Sequence, residues 1–399
     1  MKKLFYFAAA AVALAACAKN EVIPVNSGEN QEITFNVAPK TKGTVPSTDP
    51  SYTVPPGDSR YFNTDNHFVS YAYFRGEENK WPDTDGKIYI NAAEISFNKV
   101  ERKWKAASTY YWPKSDKSSL TFFAWSTNSA STDLDGGATV SCNSKSGISV
   151  STYDVTKNMN VDLLVADVAA NKHANEANYS HIGVPTLFRH KLSYLIFMVK
   201  TADNYKKYGK EFFINSITLR GFNSKGSYRQ KANNKTSTDP SPIVYDKTGD
   251  WSNFTGIKNA VGETTPSEQT YFHSTSGVEF GFGEDGKSLD AIDGVDHQKY
   301  YLPQPIVAIS GDPSSKTNYT IEVVYTIKTT EPNPATQTST VTTETVTKYI
   351  KASEIYGEKW EINKKYTCTL TFSLNEILWD PAVENWDGVD IPTSGLITI

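Results

Sequence analysis

The sequence predicts an all-β protein built of two β-sandwich domains in tandem. Three observations lead there. The chain holds 23 Tyr, 19 Phe and 8 Trp, and aromatic and β-branched side chains fit pleated, half-buried surfaces. Short apolar runs recur along its length between turns rich in Gly, Pro, Asn and Asp, the pattern of a sandwich. Almost no stretch carries a credible helical period. The strand pattern restarts near residue 185, dividing the chain into residues 17–185 and 186–399, each the size of an ordinary domain.

The elements follow in order. Lys2 and Lys3 precede an apolar run, Leu4 to Ala13, of about ten residues, half the ~20 that a spanning helix needs. Leu14-Ala15-Ala16-Cys17 follows. Small residues leading into a cysteine form the pattern of a bacterial lipoprotein signal, in which residues 1–16 are removed and Cys17 is acylated. The alternative is an ordinary secretory signal with an incidental Cys17. Either way the mature chain lies outside the cytoplasm. Residues 17–30 are polar and without period, a tether. Glu32 to Val37 alternates, with Ile33, Phe35 and Val37 on one face, as a half-buried strand does. Residues 38–62 are rich in Pro, Thr, Ser, Gly and Asp, a loop too long for an ordinary turn.

Further strands are expected at 67–74, 87–90, 95–97, 110–112, 120–125 and 161–166. In the second domain, Leu192 to Val199 suits a central strand, with Phe212 to Leu219 as its neighbour. Residues 222–298 are expected to form long loops with a few short strands. Tyr319 to Ile327 and Val341 to Ile350 form a hairpin across Glu331-Pro332-Asn333-Pro334, and Tyr366 to Phe372 alternates as a last core strand.

Composition and motifs argue against many functions. The net charge of −4 offers no basic surface to nucleic acid. No His-Glu-x-x-His helix, nucleophile elbow or phosphate loop occurs, so no catalytic residue or cofactor is expected. His173, His181 and His190 lack the spacing and the cysteines of a metal site. The acidic turns at 83–86, 133–136 and 290–296 lack the remaining ligand positions of a calcium loop. Cys142 and Cys368 could pair in an oxidising compartment or stand alone. Trp104, Trp112, Trp125, Trp251, Trp379 and Trp386 read as core residues rather than as sugar platforms.

Several segments resemble the fimbrillin family, the subunits of Bacteroidales type V pili and their lipoprotein relatives. They are Tyr111-Trp112-Pro113 with Leu120 to Ala124, Asp162 to Ala166, Phe188 to Ser193, Tyr301 to Pro305, Trp360 to Thr367 and Asp380 to Trp386. The resemblance implies transthyretin-like sandwiches, a place in a surface-exposed fimbrium at the cell outer membrane, and no enzyme activity. It implies assembly by strand exchange with other fimbrillin subunits, of the same or a different kind, after a trypsin-like surface protease cuts behind the first strand. Arg60, the first arginine of the chain, is the matching cleavage site, which makes 32–37 the removable strand. Leu396, Ile397 and Ile399 form the matching donor strand. On the residues alone, Arg60 reads equally as a solvated loop arginine, and 394–399 as a strand closing its own domain. The expected partners are the outer membrane through lipid on Cys17, sibling subunits, the protease, and a host protein or glycan. The alternative function is that of a monomeric surface lipoprotein binding host or dietary glycans through its loops.

Overall fold

The computed structural model describes residues 30–37, 62–76, 80–81, 84–115, 117–174, 183–230, 249–255, 268–283, 286–289, 300–307, 312, 314, 318–374 and 376–385. The first half runs through β1 (Phe35–Val37), β2 (Phe68–Arg75), β3 (Lys87–Asn98), β4 (Lys103–Ala106), β5 (Ser119–Ser126), β6 (Thr139–Asn143), β7 (Gly147–Asp154), β8 (Leu164–Ala166), β9 (Ala169–Lys172), β10 (Val184–Thr186) and β11 (Phe188–His190). Then come β12 (Ser193–Thr201), the 3-10 turn η1 (Tyr205–Tyr208), β13 (Lys210–Arg220), β14 (Lys225–Arg229), β15 (Asp250–Thr255), β16 (Glu268–Phe280), β17 (Lys287–Ser288) and β18 (Tyr300–Tyr301). The chain continues through β19 (Thr320–Asn333), β20 (Thr338–Lys351), the single helical turn α1 (Ala352–Tyr356), β21 (Lys364–Phe372) and β22 (Ile377–Asn385).

Among the described residues these strands make four sheets. The largest runs β10-β1-β4-β3-β2-β5-β8-β11, with β9 beside β5. Its two end strands are separated in the chain by Leu187 alone, and Val184 and Phe188 enter one core with Phe35, Phe68 and Phe122. The sheet therefore curls around that core. Its outer face, through Val69, Tyr71, Phe123 and Trp125, packs on Ile148, Val150 and Tyr228 of a smaller sheet, β15-β14-β7-β6. Strands β2 and β5 are thus covered on both sides. That is why every residue of β5 is buried, instead of every second one.

The smaller sheet joins distant stretches of chain: Gly226 lies beside Tyr153 and Tyr228 beside Val150. Strands β14 and β15 share a sheet with β6 and β7, although they follow position 185. The second sandwich packs β17-β12-β21-β22, with β18 beside β12, on β16-β13-β19-β20. Aromatic rings cross between its sheets, Phe197 to Tyr271 at 4.8 Å and Phe372 to Tyr325 at 4.9 Å.

Strand types largely match expectation, while several pairings differ. β13 is not the neighbour of β12. β12 pairs in parallel with β21, from Tyr194–Lys365 to Thr201–Phe372, and β13 lies between β16 and β19. The link through η1 and Gly209, at φ 68°, carries the chain to the facing sheet, so both apolar faces meet in one core. The expected strands 87–90 and 95–97 are a single β3, irregular where Ala92 takes φ 50°. The β19–β20 hairpin forms, but its turn is at 334–337. Pro332 instead sits in β19 opposite Ser339, past the end of its ladder to β13 at Thr329, where a proline is tolerated. Cys142 and Cys368 are both free. Burial pushes each thiol up to about 12.

Candidate functional site

The residues expected to matter most lie at the edges of what is described. Cys17, Arg60, Leu396, Ile397 and Ile399 fall outside the described residues. The strand they would act upon does not. β1 is three residues long, paired in parallel with β10 over Phe35–Val184 to Val37–Thr186, and with β4 only at Phe35–Trp104. The chain just before it is held by main-chain bonds. Ile33 N–H donates to Tyr110 O at 2.8 Å, Trp112 N–H to Gln31 O at 2.8 Å, and Val184 N–H to Thr34 O at 2.7 Å.

Side chains hold it more firmly than this short ladder does. Ile33 and Phe35 are 3% and 4% exposed. The Phe35 ring meets Phe68 edge-on at 5.5 Å and Phe122 at 5.9 Å. The strand therefore plugs the core around which the large sheet curls. Gly183 makes the slot narrow: it has φ +86°, and a Cβ there would fall 2.7 Å from Phe35 C and 2.8 Å from Thr34 C. Phe62, two positions beyond Arg60, is buried and stacks on Phe188 at 4.9 Å. The chain from Phe62 onward is thus anchored in the same core, independently of β1.

Alternation in the sequence pointed to Ile33, Phe35 and Val37. It missed Gly183, Val184, Phe62 and Phe188, because a slot is made by residues far apart in the chain. Its only trace was a glycine next to an apolar residue at 183–184.

The two mid-chain segments picked out by resemblance come together. β8 and β11 pair antiparallel, with Phe188 opposite Ala166 and His190 opposite Leu164. Arg189 grips Asp167 with two bonds of 2.8 and 3.0 Å, and His190 Nδ1 lies 2.6 Å from Asp162 Oδ2. Directly after this ladder, Lys191 O accepts from Trp251 Nε1 at 2.6 Å, and Ser193 Oγ donates to Glu361 O at 2.9 Å. The passage into the second sandwich is pinned from both sides.

His190 is therefore committed to Asp162, and His173 Nδ1 lies 3.0 Å from Ser118 O; His181 is outside the described residues. Among the described residues no cluster of three or more His, Cys, Asp or Glu could hold a metal ion, and no helix is long and apolar enough to cross a membrane. Trp104, Trp112 and Trp125 are buried, Trp251 and Trp379 half-buried. Tyr111, beside Trp112, is exposed, as adjacent positions on opposite faces require.

Fold and slot together define an all-β protein whose first core is completed by a short, weakly paired strand. The family model described as fimbrillin-like matches residues 65–386, and the chain belongs to that family. It is an adhesion-type, fimbrial family and not a family of enzymes. The chain is similar in fold to a fimbrial protein from Bacteroides vulgatus ATCC 8482, with 17% identity, a TM-score of 0.53, and coverage of 90% of this chain and 100% of that one. A structure provisionally described as a cell adhesion protein, from Bacteroides uniformis ATCC 8492, aligns at 14% identity and TM-score 0.45, over 90% of this chain and 100% of that one. No curated protein matches the chain.

Proposed function

We propose that this chain is a structural subunit of a cell-surface fimbria, exported as a lipoprotein on Cys17 and assembled by protease-triggered strand exchange. The lipid holds the precursor at the outer membrane with β1 in its slot. A trypsin-like protease cuts after Arg60. β1 then leaves with the tether, and the slot takes a strand from the next subunit, supplied by Leu396, Ile397 and Ile399. Main-chain bonds to β10 and β4 give such a strand affinity, and alternate side chains filling the core give it specificity.

The observation that carries this reading is a mismatch along residues 33–37: three residues of ladder in β1 against two nearly fully buried side chains, Phe35 in the strand and Ile33 just before it. Release breaks few hydrogen bonds yet opens an apolar cavity that must be refilled. Ile33 and Phe35 are two positions apart, the spacing of Ile397 and Ile399, so a strand carrying that pair matches the pleat. Phe62 stacked on Phe188 retains the new amino terminus after cleavage.

The test is limited digestion of the chain from Ala18 onward with a trypsin-like protease. The reading expects cleavage confined to the Arg60 loop, followed by SDS-resistant ladders. Arg60→Ala abolishes both, and deletion of 394–399 abolishes the ladders while sparing the cut. A trimmed chain that stays monomeric at high concentration rejects assembly by this route.

A further inference from the structure

β12 runs from the junction at Ser193 to Thr201, so its far end and the turns around it form the pole of the second sandwich away from the first. Three backbone bonds tie this pole together: Thr201 N–H to Gly281 O at 3.0 Å, Ala202 N–H to Phe372 O at 2.8 Å, and Thr330 N–H to Gly209 O at 2.8 Å. The bonded turns surround a cavity of about 270 Å³. It is pre-formed, and slightly below the ~300 Å³ at which ligand clefts usually begin. That leaves room for one ring of a larger ligand.

Two chemistries line it. Tyr205, resting on Phe212 at 5.4 Å, and Phe282 supply aromatic surface. Phe282 is 64% exposed, which loses the gain of burying a phenyl ring and leaves the ring available to a ligand. Opposite in character are Glu279, bonded to Lys206 at 2.8 Å, and Asn204, whose side chain makes no capping bond to the turn it precedes. The lining also contains Lys210 and Glu211, so its two lysines and two glutamates cancel. With Lys328 at 3.1 Å from Glu211 and Lys287 donating to Glu279 O at 3.0 Å beside it, the site presents donors and acceptors of both signs next to an apolar face.

A neutral pyranose has matching chemistry: one face of C–H groups and a rim of hydroxyls that both donate and accept. We propose that this cavity binds a neutral sugar ring of a surface glycan, its C–H face on Phe282 and Tyr205 and its hydroxyls on Glu279, Lys206 and Asn204. The slot of β1 and this cavity share no residue, so the two assignments stand or fall separately.

The experiment is saturation-transfer NMR on the chain from Ala18 onward. The probes are the methyl glycosides of mannose, galactose, N-acetylglucosamine and fucose, with N-acetylneuraminic acid as an anionic sugar. At least one neutral glycoside should bind in the millimolar range. Phe282→Ala should weaken it by about fivefold or more, the loss of one stacking contact, and Glu279→Gln should weaken it as well. Tyr111→Ala, at an exposed aromatic of the first sandwich, should leave it unchanged. Because Phe282 is mostly exposed, its variant should melt with the parent. The proposal is overturned if no neutral glycoside binds, if binding survives Phe282→Ala, or if only N-acetylneuraminic acid binds.

Discussion

His190 and Asp162 form a nearly solvent-free pair, Nδ1 to Oδ2 at 2.6 Å with both side chains 2% exposed. The pair closes the β8–β11 ladder at the point where the chain leaves the first core. Asp162 Oδ1 has no hydrogen-bond partner among the described residues, so the Asp162 carboxylate is held through Oδ2. Removing one partner of a buried pair costs far more than removing an exposed one, roughly 3–5 kcal/mol. Asp162→Ala should destabilise the protein by that order in urea unfolding. Asp167→Ala, which breaks the partly exposed Arg189 pair, should cost much less. Equal costs would refute a special role for the buried pair.

The slot of β1 yields a paired prediction. Phe35→Ala removes a ring from a packed core, at roughly 3–5 kcal/mol. Gly183→Ala sets a Cβ against the β1 main chain at 2.7 Å. Both variants should loosen the first strand in the uncut chain, seen as faster amide exchange at Ile33 and Phe35 and earlier ladders after protease treatment. Unchanged exchange in both would mean that β1 is no plug.

Alkaline stability should follow the buried thiol of Cys368, raised by burial and then by Asp380 from 9.0 to about 12. The folded state keeps a proton that the unfolded chain gives up. The contribution is therefore complete below pH 9 and is lost as pH rises from 9 to 12, at ~1.4 kcal/mol per pH unit. Cys368→Ala should flatten this part of the pH–stability curve by about one proton; an unaltered slope would show that the thiol does not report on folding. Iodoacetamide should label neither Cys142 nor Cys368 at neutral pH until the protein unfolds.

The anchor is tested in cells. Cys17→Ser should abolish labelling by a fatty-acid probe and release the chain from membranes. Labelling that persists would remove the lipoprotein from the proposal.

What the sequence determined by itself was mostly local: the strands and the face each residue shows. Side chains in a strand alternate with period two, so Tyr366 to Phe372 displays its buried face in one dimension, and Leu120 to Trp125 displays two. The β19–β20 hairpin was equally legible, since its partners are close in the chain. Pairing across long distances was not. Main-chain hydrogen bonds are nearly the same whatever the side chains, so nothing in Leu195 or Tyr366 alone says that β12 and β21 run side by side. Likewise nothing in Gly226 points to Tyr153. Only the tertiary structure decided those neighbours, because a strand's place depends on which edges remain open and which apolar faces fit. It likewise brought Asp162 to His190 and Gly183 to Phe35, each contact made by chain segments that meet only when the sheets close.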